Sequence, residues 1–275
     1  MATTINRLPD GTIELKVTIP ATLIKKTREE VMAQVASTAK VAGFRPGKAP
    51  KKVVEETADK AKVREEVLRV LIPQTYIEAV QEHSLKPIVN PKIHVDELED
   101  DKDWSFSATT CEMPKVDLGN YKDAVKGVTA KSKIVVPGKE QTKPDLDTIV
   151  KELVGAVTVT IPSILTDYEA DRLLSQTLDE IKKLGLSLDQ YLSSTGKTPE
   201  QLREEYVAKA TMDMKLEFAL QQIADSEKII VDQKEIEEAV SRAKDPAEKT
   251  HLESNKYLLA NIIRQQKTLD FLQNL

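Results

Sequence analysis

Apolar positions change their spacing several times along this chain, and the changes divide it into an alternating part and a helical part. Thr12–Ile19 repeats with a period of two, which places Ile13, Leu15, Val17 and Ile19 on one face of a half-buried strand. The turn residues Pro9-Asp10-Gly11 precede it, so Thr3–Leu8 is expected to pair with it as a hairpin. From Thr22 to Ala39 the spacing widens to that of a helix, with Leu23, Ile24, Val31 and Val35 near one side. A second, longer helical pattern runs from Lys51 to about Gln81, and Pro73 inside it should kink or split it. Alternation returns in Lys92–Val95 and Trp104–Thr110, on either side of the acidic turn Asp96–Asp103. Strand, two helices and further strands make a compact α+β domain over residues 1–114.

The rest reads as helix. Lys115–Pro144 is punctuated by Gly119, Gly127, Pro137, Gly138 and Pro144, and reads as an extended linker, 115–144. Residues 145–275 then form an all-α domain. It opens with a short helix at Asp145–Val154, followed by the β-branched run Val157–Ile161. A longer helix, Ser163–Leu184, is closed by Gly185. Thr198-Pro199-Glu200-Gln201 is a capping box with proline at the first helical position, opening a helix to about Ser226. Asp232 starts another, and Pro246 resets the chain for a last helix to about Leu272.

Between the first two helical patterns lies Gly43-Phe44-Arg45-Pro46-Gly47-Lys48-Ala49-Pro50. Two glycines and two prolines preset a tight loop that carries one aromatic and two cations. From Val31 through Val54 there is no Asp or Glu, whereas Lys40, Arg45, Lys48, Lys51 and Lys52 all fall inside. The whole chain has a formal net charge of -5, so this is a local basic patch on an acidic molecule, suited to a polyanion such as a ribosomal surface. The alternative is that Phe44 plugs its own domain's core.

The loop resembles the Gly-Phe-Arg-x-Gly-x-x-Pro signature of the trigger factor family, bacterial chaperones docked at the ribosomal exit tunnel. The opening strand, the flanking helices and the Trp104–Pro114 strand resemble that family's ribosome-binding domain in order and length. Val157-Thr-Val-Thr-Ile-Pro-Ser-Ile-Leu-Thr-Asp-Tyr-Glu169 is similar to its entry into the carboxy-terminal helical region. The resemblance implies docking near the exit tunnel of the large ribosomal subunit through Gly43, Phe44, Arg45, Pro46, Gly47, Lys48, Ala49 and Pro50. It also implies nascent or unfolded polypeptides as clients. Two departures stand out. Family members often carry Lys where this chain has Pro46, which removes one phosphate or carboxylate contact. They also usually carry an FKBP-like prolyl isomerase domain between the two parts, where here only 30 residues stand, with Tyr121 as their one aromatic. The isomerase domain is therefore expected to be missing, and the protein not to be an enzyme.

Other chemistry is sparse. His83, His94 and His251 have no metal-ligand spacing, no phosphate-binding glycine loop occurs, and the single Cys111 implies a reducing compartment without a disulfide framework. No cofactor is expected. Residues 1–114 hold 17 basic and 18 acidic side chains, so binding of specific DNA is not expected. No segment reads as a signal peptide or membrane span, which points to the cytoplasm. Met212, Met214, Leu216 and Leu220 either line a cradle for unfolded clients or pack between helices, and only exposure separates the two. A holding chaperone that needs no ATP is thus weighed against a helical interaction adaptor that no longer binds ribosomes.

Overall fold

A computed structural model describes residues 2–38, 44, 53–54, 57–99, 101–132, 145–242 and 245–275. The chain divides into two compact units, one of Met1–Met113 with Pro162–Leu165, the other of Pro114–Ile161 with Thr166–Leu275.

The amino-terminal unit is built on a four-stranded antiparallel sheet in the order β1-β2-β4-β3, formed by Ala2–Arg7, Thr12–Ile19, Trp104–Cys111 and Lys92–Glu97 respectively. The period-two pattern sets its register. Ile13, Leu15, Val17 and Ile19 lie opposite Thr110, Ala108, Phe106 and Trp104, and all four are buried. Two helices cover that face: α1 (Ala21–Thr38) and α2 (Lys60–Glu82), whose Val63, Val67, Leu71 and Ala79 join Ile24 and Val31 in the core. The expected single helix from Lys51 is corrected here. Asp59 leaves the helical region (ψ 110°) and its carboxylate accepts the Ala61 N–H at 2.9 Å, so α2 begins anew at Lys60. Pro73 does not split α2, because its missing donor leaves a single helical hydrogen bond unmade in an otherwise buried stripe.

A segment distant in sequence completes this unit. In the β1–β2 turn the Asp10 carboxylate accepts the N–H and hydroxyl of Thr12 at 3.0 and 2.8 Å. It also accepts the N–H of Ser163 at 2.9 Å, 153 positions along the chain. Asp10 thereby caps the helix that starts at Ser163. Gly11 has φ +89°, and its α-carbon faces Pro162, which a β-carbon would meet at 3.5 Å. Partial burial pushes the Asp10 carboxyl upward, but the hydrogen bonds from Ser163 and Thr12 outweigh it and bring it down to about 2.

The second unit is helical apart from a two-residue ribbon, β5 (Val116–Asp117) against β6 (Thr158–Val159). Between these strands lies the main correction to the sequence reading. Tyr121–Ser132, expected as extended linker, is a helix, α3, packed against α4 (Leu146–Ala156). Tyr121, Val125, Val128 and Thr129 form a stripe at helical spacing, with Tyr121, Val125 and Thr129 buried. Burial of that stripe outweighs the ~1 kcal/mol that Gly127 costs inside a helix. Residues 133–144 of the expected linker lie outside the described residues. The remaining helices are α5 (Ser163–Lys183), α6 (Leu188–Thr195), α7 (Pro199–Ser226), α8 (Gln233–Arg242), α9 (Pro246–Ser254) and α10 (Lys256–Gln273). The expected single last helix is thus two. Asn255 bonds back to the His251 carbonyl with its side chain and takes a non-helical conformation, which ends α9. The core joins α3, α4, the carboxy-terminal half of α7 and the end of α10 through Val125, Ile149, Leu153, Ile223 and Leu272.

Replacing Asp10 by alanine removes the cap and is expected to lower unfolding free energy by about 1 kcal/mol at pH 7. The folded-state carboxyl sits near 2 against an ordinary 3.8, so its contribution is complete above about pH 4 and fades as pH falls through 2. Urea titrations of wild type and Asp10→Ala from pH 7 to 2 should show the gap closing only at the acid end.

Candidate functional site

Two surfaces correspond to the residues singled out in the sequence. The first is the loop between α1 and α2. Phe44 sits in a bend with 43 % of its surface exposed, although phenylalanine has more to gain than most residues from burial. Gly43, Arg45, Pro46, Gly47, Lys48, Ala49 and Pro50 lie outside the described residues.

The second surface belongs to the helical unit, and α7 shows how it arises. Its capping box is formed in full: the Thr198 hydroxyl accepts the Gln201 N–H at 3.2 Å and the Gln201 side chain accepts the Thr198 N–H at 3.0 Å. Twenty-eight residues of helix span ~42 Å, more than one small core can cover. Exposure changes along and around it, with Leu202 and Ala210 buried before the methionines. Met212 is exposed, Met214 half-buried, Leu216 packed against the edge of the core, and Leu220 inside it. Leu220 is therefore a packing residue, and the client-facing expectation for it gives way to core geometry. Met212 remains available at the surface.

Sequence reasoning missed larger exposed groups. At the α5–α6 turn Leu184, Leu186 and Leu188 are all exposed, Leu184 by 75 %. Gly185 (φ +74°) accounts for the turn: its N–H reaches the Lys182 carbonyl and the Leu186 N–H reaches that of Ile181, and a β-carbon would strain both bonds. On α10, Tyr257, Leu258 and Ile262 face solvent, Tyr257 by 83 %. The signal was present, because Tyr257-Leu-Leu-Ala-Asn-Ile-Ile263 carries apolar residues around more of the helix than one buried face requires.

Polar contacts hold these elements from behind. Arg203 of α7 bonds Asp171 and Asp167 of α5 at 2.6 and 3.0 Å. Arg264 of α10 donates to the Ile229 carbonyl at 2.9 Å and to Asp225 at 2.6 Å. Lys267 reaches the Ile230 carbonyl at 2.8 Å and Glu235 at 2.9 Å, fixing the exposed Ile230 beside the latter half of α10. The Lys267 ammonium and the Asp232 N–H hold the Glu235 carboxyl below its usual range. Tyr121, its own ionisation pushed up mainly by burial, donates its hydroxyl to Glu227 at 2.8 Å at the end of α7.

The single cysteine is not poised for covalent chemistry. Burial, with Asp10 adding to it, pushes the Cys111 thiol up to about 11, far from a reactive thiolate. Among the described residues no group of His, Cys, Asp or Glu is placed to hold a metal ion, and no helix is long and apolar enough to cross a membrane. What the arrangement offers is contact: large apolar side chains on stiff helices and one exposed aromatic on a turn.

Comparison with known proteins gives a consistent picture. Residues 1–153 match the family model described as bacterial trigger factor protein, and residues 139–274 match that of its C-terminus. The two matches overlap, leaving no stretch between them for a further domain. A trigger factor of Natranaerobius thermophilus is 30 % identical over 122 residues, covering 44 % of this chain and 27 % of its own length. Those of Staphylococcus carnosus and Staphylococcus aureus strain JH9 are 33 % and 34 % identical over 108 residues, covering 39 % of this chain and 24 % and 25 % of theirs. The chain thus spans about a quarter of the curated relatives it matches. A solved structure, described as promiscuous substrate recognition in folding and assembly activities of the trigger factor chaperone, superposes with a TM-score of 0.69 at 14 % identity. The match covers 100 % of this chain and 99 % of that one, and it shows a shared fold.

Two substitutions separate packing from surface. Leu220→Ala should cost 2–5 kcal/mol through the cavity it leaves, and Met212→Ala should stay within about 0.5 kcal/mol. Denaturant midpoints of the two variants measure both.

Proposed function

The chain belongs to the trigger factor family, and from that premise we propose that it holds nascent or unfolded polypeptides without nucleotide while docked near the exit tunnel of the large ribosomal subunit. The observation that carries the holding activity is the set of exposed apolar side chains on braced helices: Leu184, Met212, Tyr257, Leu258 and Ile262. Fully covering one leucine-sized side chain stabilises a complex by about 1.5–3 kcal/mol. Two or three engaged together, after the cost of ordering a client, leave a weak and readily reversed complex. Promiscuity follows, since leucine and methionine surfaces specify shape poorly. The relevant mechanism is shielding of exposed segments from one another, and no bond is made or broken.

Docking is assigned to the Phe44 loop. An exposed phenylalanine beside Arg45 and Lys48, in a stretch of 24 residues without a carboxylate, suits a ribosomal surface of protein and RNA. A cytoplasmic location goes with that partner. Prolyl isomerisation is not part of the proposed function, because the two family segments meet without an intervening domain.

Phe44→Ala with Arg45→Ala is expected to abolish co-sedimentation with ribosomes while leaving circular dichroism unchanged, as truncation of an interface anchor costs about 2 kcal/mol or more. The same variant should still suppress light scattering by a denatured client without ATP. Suppression lost together with ribosome binding would contradict the separate placement of the two activities, and a folded variant that sediments normally would refute the docking role. A protein that leaves client scattering unchanged yet binds folded partners would be an adaptor.

A further inference from the structure

We propose that the open edge of β1 takes an extended segment of an unfolded polypeptide as a fifth strand of the sheet. Such a site rests on the holding function above and deepens it, with the backbone doing the recognising.

The register of the first hairpin shows which groups are free. Leu8 donates its N–H to the Thr12 carbonyl at 2.8 Å, and the pairing runs back without a shift to Ala2 opposite Thr18. Hydrogen-bonded pairs alternate along an antiparallel ladder. Asn6, Thr4 and Ala2 therefore turn their backbone groups to β2, while Arg7, Ile5 and Thr3 turn theirs outward. β1 is the last strand on that side of the sheet. Among the described residues nothing bonds to the outward N–H and C=O groups of Thr3, Ile5 and Arg7. Their side chains are held within the unit. Thr3 donates to Glu82 of α2 at 3.4 Å, Arg7 donates to Glu112 at 3.0 Å, and Ile5 packs partly buried against the core, opposite Leu15. An added strand would set its own inward side chains beside Ile5 and continue that apolar row.

The other edge of the sheet is guarded. β3 begins with Lys92, shifts register between Val95 and Glu97, and ends in two acids, all devices that discourage a further strand. β1 has neither a bulge nor a proline, and its Thr3, Thr4 and Ile5 are β-branched. Donors and acceptors repeating every second residue match only another extended backbone, and a client's backbone offers them whatever its sequence. Charge selects between a client and a second copy. Arg7 is balanced by Glu112, which leaves Glu14, Glu82 and the turn's Asp10 beside the edge against Lys16. A second copy would bring these acids together, on chains of net charge -5 each, whereas a neutral or basic segment meets no such repulsion.

The test is amide hydrogen exchange of the full chain, read residue by residue, with a short labelled peptide of alternating valine and threonine carrying a lysine at each end. Saturating peptide should slow exchange at Thr3, Ile5 and Arg7 about tenfold or more, while Ala2, Thr4 and Asn6, already bonded to β2, change little. The same peptide N-methylated along its backbone should not bind. Thr3→Pro removes one outward donor without touching the ladder to β2, and should weaken the peptide about 3- to 10-fold, whereas Thr3→Val should bind as wild type does. Equal binding of the methylated peptide would overturn strand addition and leave the holding function standing. So would unchanged exchange at Thr3, Ile5 and Arg7 in a chain that still suppresses scattering by a denatured client. Protection of these amides that grows with protein concentration alone would overturn it in favour of a second copy. A wild type that leaves client scattering unchanged would overturn the holding function, and protection by the peptide would still uphold the edge site.

Discussion

The helical unit depends on how far its main buried cluster reaches. Its helices α5, α7 and α10 are 21, 28 and 18 residues long, whereas the buried cluster engages only one half of α7 and the far end of α10. Outside that cluster α7 continues through its well-capped amino-terminal half on good helix formers, polar ties and the buried Leu202 and Ala210. Exposed salt bridges contribute little individually. Arg203 and Arg264 nevertheless each make two bonds, and Arg264 and Lys267 satisfy backbone carbonyls in the connection after α7. Polar contacts thus tie these helices together while Leu184, Met212, Tyr257, Leu258 and Ile262 stay exposed. An ordinary globular domain would have buried them.

The amino-terminal unit answers to a different constraint. β2 is paired on both edges and packed on one face, so a slip of one residue would turn Ile13, Leu15, Val17 and Ile19 out of the core. Asp59 caps α2 afresh, so that helix starts at Lys60 on its own hydrogen bonds. The Asp10–Ser163 bond has the opposite character: a charged cap that accepts three hydrogen bonds from Thr12 and Ser163 ties a distant helix start into the sheet domain.

Much of this was legible in the sequence because the signals were local. The alternation in Thr12–Ile19, the capping box at Thr198 and the glycine after α5 each state their structure within a few residues. The misses share a cause. α3 hides behind Gly127 and repeated lysines, and only its burial against α4 makes Tyr121, Val125 and Thr129 read as a stripe. Leu220 and Met212 stand eight residues apart on one helix with similar apolar character, and what separates them is that Leu220 packs into the cluster with α3, α4 and α10 while Met212 does not. The Asp10 cap could not be read at all, since its partner lies 153 residues away.

On the proposed holding function, a protein that works without nucleotide must release by the same equilibrium with which it binds, and this limits how apolar its surface can be. If every exposed leucine and tyrosine of the helical unit engaged one client at once, roughly 1.5–3 kcal/mol apiece would sum to a complex too long-lived for folding to follow. Distribution avoids that outcome. Leu184–Leu188 sit at one turn, Met212 midway along α7 and Tyr257–Ile262 on α10, with charged residues such as Lys209, Asp213 and Lys256 interspersed. A short apolar segment can reach one group at a time, and a long one gains from several by effective concentration. Affinity then grows with the length of exposed chain and falls as the client buries its own apolar residues. Release is thereby driven by the client's own folding, which is the one energy source such a protein needs.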